Sequence, residues 1–189
     1  MQTPYIVGLG NPGKEYEFTR HNTGRMIVDA FRKQQKLADW IYDKKMNGLK
    51  TAGNIKISKC GNIKKLMLIL PETFMNNSGK CVKNLITSKK KATNLIVIHD
   101  DIDLPLSKFK ISFGKSSAGH KGVESIIKEL GSKNFIRIRV GILPQKNKPK
   151  DTKKFVLEKF TKGEKEAIER VIEKTTLALL SLIERGLEK

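Results

Sequence analysis

The sequence predicts a single α/β domain: a twisted, mixed β-sheet flanked by helices. Three observations carry that expectation. Short continuous apolar runs, PYIVGL at 4–9, KLMLIL at 65–70 and NLIVI at 94–98, have the composition of strands buried on both faces. They alternate with stretches whose apolar residues recur at helical spacing. A chain of 189 residues fills one hydrophobic core, and no linker-like stretch divides residues 1–189.

The elements follow in order. Residues 23–37 set Ile27, Ala30, Phe31 and Gln34 at helical spacing, and residues 54–58 (NIKIS) alternate like a half-exposed strand. The run at 65–70 stops at Pro71, as a central strand would, and a helix follows Ser78 with Val82, Leu85 and Ile86 inward. The strand at 94–98 ends at His99-Asp100-Asp101. Residues 106–113 and 134–142 alternate, with a helix over 120–130 between them. The longest helix comes last, with Ala167, Ile168, Val171, Ile172, Leu179, Leu180 and Ile183 on one core-packing stripe. Residues 145–151 form a polar loop inside the domain.

Composition narrows the class. The 38% hydrophobic content is that of an ordinary globule, and no apolar run is long enough for a membrane span. The chain enters a strand almost at once, without a secretion signal. Cys60 and Cys81 form no C-x-x-C pair, so a cytoplasmic, reducing location is expected. No heptads appear, which favours a monomer. The 38 Lys plus Arg against 19 Asp plus Glu give a net charge of +19. Such an excess attracts polyanions, RNA above all. A lysine-rich compositional bias explains the same number, and the dense runs Lys89-Lys90-Lys91 and 146–154 read equally well as solvated loops. No basic helix combines an apolar face with a lipidation signal, so no membrane partner is expected.

Gly8, Gly10 and Gly13 spell G-x-G-x-x-G after the first strand, the spacing of dinucleotide-binding turns. Such a site needs its helix to open inside the glycine turn. Pro12 lacks an N–H and biases Asn11 to an extended conformation, and Lys14-Glu15-Tyr16-Glu17 starts no apolar stripe. The required acid is also missing, because Asp29 falls mid-helix. The turn is better read as presenting Asn11 at the carboxyl end of a strand, where α/β proteins place ligands. Polar clusters follow the other strands: Thr19-Arg20-His21-Asn22, Phe74-Met75-Asn76-Asn77-Ser78-Gly79, His99-Asp100-Asp101 and Ser117-Ala118-Gly119-His120-Lys121-Gly122. Each has a plain alternative. Asn22 or Ser78 caps a helix, Asp100 or Asp101 closes a turn, and any one histidine is structural. Three histidines with Asp100 and Asp101 offer metal-ligand types, but no H-x-H or H-x-x-x-H spacing accompanies them. What singles out the clusters is their convergence on one edge of one sheet.

The segments VGLGNPGKEYEFTRHNTG, PETFMNNSG, HDDIDLPLSKFKI, AGHKGVESI and FIRIRVGI, in that order, resemble the bacterial peptidyl-tRNA hydrolase family. The resemblance implies a single α/β domain that cleaves the ester between a peptide and the 3′ end of tRNA, without metal or cofactor, and so recycles peptidyl-tRNA dropped from ribosomes. By the same likeness His21 is the catalytic base and Asp100 the carboxylate that orients it. Asn11 holds the water or product end, and Asn76 binds near the scissile ester. Met75 and Tyr16 line the peptide groove, and His120 is a further site histidine. Lys110 and Arg139 clamp the 5′-terminal phosphate of tRNA. The chemistry is coherent, because an activated ester yields to a water polarised by a base of pKa near 7. His21 with Asp100 is then a catalytic triad without its serine. The chain departs from the family where G-G-H-N-G is usual and Ala118-Gly119-His120-Lys121-Gly122 stands here. Lys121 turns to solvent, contacts RNA, or marks a weakened enzyme; the second is the expectation. The alternative function is a non-catalytic RNA-binding relative with the same fold.

Overall fold

The computed structural model describes residues 3–57, 62–144 and 149–187. Its strands are β1 (Tyr5–Gly8), β2 (Ile41–Asp43), β3 (Gly48–Lys56), β4 (Ile63–Pro71), β5 (Leu95–Pro105), β6 (Phe109–Phe113) and β7 (Ile136–Leu143). Its helices are α1 (Thr23–Gln34), α2 (Ser78–Lys83), α3 (Lys89–Ala92), α4 (Lys121–Leu130), α5 (Thr152–Leu157) and α6 (Lys162–Arg185). The strands form one sheet in the order β2-β3-β4-β1-β5-β7-β6. The four inner strands, β4, β1, β5 and β7, are parallel, and β3 and β6 join them antiparallel from either side.

The unbroken apolar runs occupy the centre because a parallel sheet is covered on both faces. Ile6, Leu68, Ile96, Ile98 and Ile138 meet α1 and α6 through Ile27, Phe31, Val171 and Leu179. Val7, Ile69, Leu95 and Val97 meet the opposite layer through Val82, Val123 and Ile126. Alternate residues of one strand therefore serve two cores. The parallel arrangement also brings the carboxyl ends of β1, β4 and β5 to one edge, where the polar clusters had been expected to converge.

Several boundaries differ from the sequence reading. The strand expected to end at His99 continues through Asp100 and Asp101 to Pro105, because β7 pairs with it up to that point. The expected strand 54–58 is the far end of β3, which pairs with β4 over nine positions despite Gly48 and Gly53. On α1, Val28 is buried while Gln34 is exposed. Leu85 and Ile86 lie just beyond α2, in the turn whose N–H groups both reach Val82 O. β2, α3 and α5 were not foreseen. Cys60, Ser58 and residues 145–148 of the expected loop lie outside the described residues. Among those described, no helix is long and apolar enough to cross a membrane.

The glycines of the first turn act through packing. An added Cβ on Gly24 would stand 2.2 Å from Ile98 O and 2.6 Å from Leu9 N, and one on Gly8 would stand 2.5 Å from Gly24 O. The start of α1 thus rests directly on the backbones of β1 and β5, and Arg25 N–H donates to Leu9 O at 3.1 Å. Gly13, at φ 108°, turns the chain where an L side chain would be strained. We predict that Gly24→Ala forces these backbones apart and costs about 1–3 kcal/mol, read as a lower melting temperature; an unchanged melting temperature would contradict this close contact.

Candidate active site

At the carboxyl edge of the sheet the buried carboxylate of Asp100, 2% exposed, holds two imidazoles. His21 Nδ1 lies 2.9 and 3.0 Å from its two oxygens. His120 Nε2 lies 2.9 Å from Oδ1. His21 is delivered by two 3-10 turns, Lys14–Tyr16 and Arg20–Asn22, that fill the gap between β1 and α1. His120 is the N-cap of α4, and its Nδ1 accepts the Val123 N–H at 3.3 Å. That bond leaves the neutral ring's proton on Nε2, which donates to Asp100. By the same logic His21 donates from Nδ1. Its Nε2 has no protein partner among the described residues, and the side chain lines a cavity of about 340 Å³ together with Asp100, His120, Lys121, Thr152 and Val156.

The electrostatics follow from burial. Burial works to raise the Asp100 pKa, but the charges and hydrogen bonds of His21 and His120 carry it far below the ordinary carboxylate range. Burial works to lower the His21 pKa, but the charge and hydrogen bond of Asp100 outweigh it and raise the value above 6.5. His99, 1% exposed, donates from Nδ1 to Asp100 O at 2.7 Å. Burial, helped by His120, pushes its pKa well below the ordinary value, so it stays neutral behind the site. Cys81 is no nucleophile: burial, with Asp43 and Glu72 nearby, pushes its thiol up to about 12.

The ligand atoms of His21, Asp100 and His120 lie within 4.8 Å of one another, close enough to raise the question of a metal. In the structure the two imidazole nitrogens that face the carboxylate are engaged with it at 2.9 Å, so an ion held by those atoms would replace both hydrogen bonds.

A second limb of polar residues begins at Asn11. Its backbone N–H and C=O are both held by the Asn22 amide, at 2.8 and 2.9 Å, and its own Oδ1 accepts the Met75 N–H at 2.9 Å. Asn11 therefore ties the β1 turn to the β4 turn; its NH2 makes no hydrogen bond to the described residues, and Asn11 is not among the residues that line the His21 cavity. Met75 is 5% exposed, with its sulfur beneath Gly122, so it is mainly core and offers little wall to a groove. Its N–H is spent on Asn11 and is not free for an oxyanion. Asn76 is exposed, with no side-chain hydrogen bond to the described residues, and Tyr16 packs edge-on against Phe74 at 6.3 Å. Asn22 stands at the N-cap of α1 but its side chain makes no cap bond, and Ser78 is the first residue of α2 rather than its cap. Asn22 grips Asn11, and the Ser78 hydroxyl donates to Met75 O at 2.9 Å. Asp101 does close a turn, its Oδ1 accepting the Asp103 N–H at 2.9 Å, and its Oδ2 also holds Arg139 Nε at 2.5 Å.

Lys110 and Arg139 stand apart from the cavity as direct cross-strand partners on β6 and β7. Lys110 is exposed, and the terminal nitrogens of Arg139 have no partner among the described residues. Lys121, the first residue of α4, is exposed at the cavity lip and pairs with Glu124 at 3.0 Å. Sequence reasoning passed over Arg20, His99, Asn22 as a brace for Asn11, and the α5 residues Thr152, Lys153 and Val156 on the cavity wall.

An open α/β sheet with a carboxylate-oriented histidine at its carboxyl edge defines a class, that of hydrolytic enzymes working through an activated water or hydroxyl. The comparisons with known proteins are specific. The family model described as peptidyl-tRNA hydrolase matches residues 5–189. The chain is 42% identical over 185 residues to the peptidyl-tRNA hydrolase of Aquifex aeolicus, covering 97% of this chain and 92% of that one. It is 40% identical over 187 residues to that of Thermodesulfovibrio yellowstonii, covering 97% and 94%. The crystal structure of the Acinetobacter baumannii peptidyl-tRNA hydrolase superposes with a TM-score of 0.83 at 29% identity, over 97% of this chain and 89% of that one. The chain belongs to the peptidyl-tRNA hydrolase family.

With His21 as the expected base, which works only when neutral, activity should rise as pH climbs through the His21 pKa, and Asp100 raises that pKa from its ordinary value. In Asp100→Asn burial remains and the attraction is gone, so the limb of the kcat/KM profile moves to lower pH. A limb that stays in place or moves up would show that Asp100 does not set the base.

Proposed function

We propose that this chain hydrolyses the ester linking a peptide to the 3′ end of tRNA, as one catalytic domain over residues 1–189 and as a cytoplasmic monomer. The observation that carries the reading is the His21 imidazole, fixed through Nδ1 by a buried carboxylate with Nε2 open to the cavity. His21, Asp100 and His120 all come from this one chain, which suits a monomer, and the buried free thiol of Cys81 suits a reducing compartment.

In the proposed reaction Nε2 of His21 removes a proton from a water as its oxygen bonds to the ester carbon. Asp100 stabilises the imidazolium that forms. The tetrahedral intermediate collapses, the ester C–O bond breaks, and His21 returns the proton to the departing 3′ oxygen of tRNA. The products are the peptide acid and the free 3′ hydroxyl. No metal or cofactor enters this scheme. The Asn11 NH2 and the exposed Asn76 amide are the donors offered to water, carbonyl or oxyanion, and one such donor is worth about 2.7–4 kcal/mol. Tyr16 contacts the peptide beside them. His120 holds the second lone pair of Asp100 and keeps the carboxylate aimed. A serine nucleophile is the competing chemistry, but the Ser117 hydroxyl on the cavity wall accepts the Gly119 N–H within its own turn, at 3.3 Å.

The tRNA body is proposed to dock on Lys110 and Arg139. Like charges directly opposite one another on neighbouring strands destabilise a sheet. Asp101 compensates Arg139 from behind, which leaves the outward side of the pair cationic. A phosphate fits that arrangement. Lys121 adds a cation at the cavity lip. Its exposed pair with Glu124 is worth about 0.2–1 kcal/mol, little enough for an RNA phosphate to displace.

Two experiments test these roles. His21→Ala should lower turnover of N-blocked aminoacyl-tRNA by about 10²–10⁴-fold with little change in tRNA affinity, while EDTA leaves the wild type unaffected. Near-normal turnover in His21→Ala would remove the mechanism, and loss of activity in EDTA would reinstate a metal. A wild type that binds tRNA without ester release would point to the non-catalytic relative. In the second experiment Lys110→Ala should reduce the log–log salt slope of tRNA binding by roughly 0.7–0.9. Lys110 is the cleaner choice, because Arg139→Ala would strand the buried Asp101. Lys121→Asn should raise KM more at low salt than at high salt. Unchanged slopes would place the tRNA footprint elsewhere.

A further inference from the structure

Arg20, next to the proposed base, is among the most buried polar residues of the protein, at 3% exposure. It does not face the cavity. Its Nη2 meets Glu164 Oε2 at 2.7 Å, and its Nη1 reaches Phe155 O at 3.4 Å and Glu158 Oε2 at 3.6 Å. The guanidinium lies over the Phe155 ring, 4.1 Å from its centroid, and 5.5 Å from that of Phe160. The Arg20 N–H donates to Glu158 O at 3.0 Å, and Thr19 bridges to Lys159. Every one of these partners lies between residues 155 and 164, about 140 positions away along the chain.

Two features of that partner segment matter for chemistry. Phe155 belongs to α5, whose Thr152, Lys153 and Val156 form a wall of the cavity that holds His21. Glu164 is the third residue of α6, and the Oε2 that takes Arg20 also accepts the Thr161 N–H at 2.8 Å. Its carboxylate is therefore fixed by the start of the helix before Arg20 reaches it. A buried guanidinium is costly unless its partners are well placed. Here one of its nitrogens, Nε, has no partner among the described residues, so packing alone would be served better by an apolar residue. The cost is sensible if the contact sets a geometry.

We infer that Arg20 is a positioning residue, which locks the turn carrying His21 to the α5 wall and the start of α6, so that base and cavity wall hold one fixed relation. The inference rests on the proposed hydrolytic role of His21. Catalytic groups displaced by about 1 Å lose on the order of 10²-fold in rate, and His21 sits one residue from the latch. Releasing the latch lets the turn shift against β5, which lengthens the His21–Asp100 contact and loosens the wall together.

Arg20→Lys keeps the charge but loses the fork and the flat stacking on Phe155. Glu164→Gln keeps the length and the capping acceptor but loses the charge. For each we would measure kcat and KM on N-blocked aminoacyl-tRNA, the melting temperature, and the pH titration of His21 by NMR. The groups around His21 are Asp100 and His99 on β5, His120 at the start of α4 and Lys153 on α5, with Asp101, Asp103 and Lys121 on the same cavity. Arg20→Lys conserves charge and alters none of them, so a moved titration in that variant reports the His21–Asp100 geometry, whereas Glu164→Gln removes a charge and is read through kcat and melting temperature. The expected result for Arg20→Lys is a kcat lowered about tenfold or more, a raised KM and a His21 titration shifted to lower pH. Glu164→Gln should move kcat and KM the same way by less. A lower melting temperature with kcat and the titration unchanged would make Arg20 structural only and overturn the inference. If Arg20→Lys fails to fold, Glu164→Gln decides by kcat against melting temperature: a lowered melting temperature with kcat unchanged overturns the inference. If the wild type itself releases no peptide, the proposed function fails, and the NMR titration still decides whether Arg20 positions His21.

Discussion

The buried carboxylate of Asp100 is the constraint around which the rest is arranged. An ionised carboxylate removed from water costs several kcal/mol unless neighbouring groups satisfy it. Asp100 is satisfied by His21 from the β1–α1 turns and by His120 from the cap of α4, two segments 99 residues apart in the chain. Both must be in place at once. The sheet order makes this possible by setting β1 beside β5, so that the turns after β1 open directly over the end of β5. The start of α1, in backbone contact with β1 and β5 at Gly24, then fixes the height at which His21 arrives.

Around that centre, polar side chains bind loops to loops more than they face solvent. Asn22 holds both backbone groups of Asn11, and Asn11 holds the N–H of Met75. Arg25 does similar work nearby, donating to Pro71 O at 2.6 Å and Glu72 at 2.5 Å, so the end of β4 is tied to α1. Such buried networks are rigid when fully satisfied. They let three loops with little regular structure hold amides and an imidazole in fixed positions, which is what the proposed activation of a water requires. His99 contributes from behind. It stays neutral, packs against His120 with ring centroids 4.5 Å apart, and so adds no competing charge to Asp100.

The surface follows a different logic. The +19 charge is spread over the chain, and most lysines are solvated. What distinguishes Lys110 and Arg139 is that strand pairing sets them side by side while Asp101 anchors one of them. A general field attracts RNA from a distance, and the fixed pair is the place proposed for a phosphate to sit.

The sequence by itself determined the sheet core and the class of site. Unbroken runs such as NLIVI can only be strands covered on both sides, and their carboxyl ends carry Asn11, Met75-Asn76 and His99-Asp100 in plain view. The motif likeness then named His21 and Asp100 as partners, and the structure places them at 2.9 Å. Local pattern did not reveal that β5 runs on through Asp101, because pairing with β7, not side-chain alternation, extends it. It did not reveal β2 or most of β3, which hold their place at the edge through backbone bonds to a neighbour. Nor could it distinguish Asn22 as a cap from Asn22 as a brace, or show Arg20 as a latch, since those roles depend on partners 11 and 144 residues away. Hydrophobic periodicity is a property of neighbours along the chain. A buried polar contact is a property of two distant segments brought within 3 Å, and only the folded chain decides which segments meet.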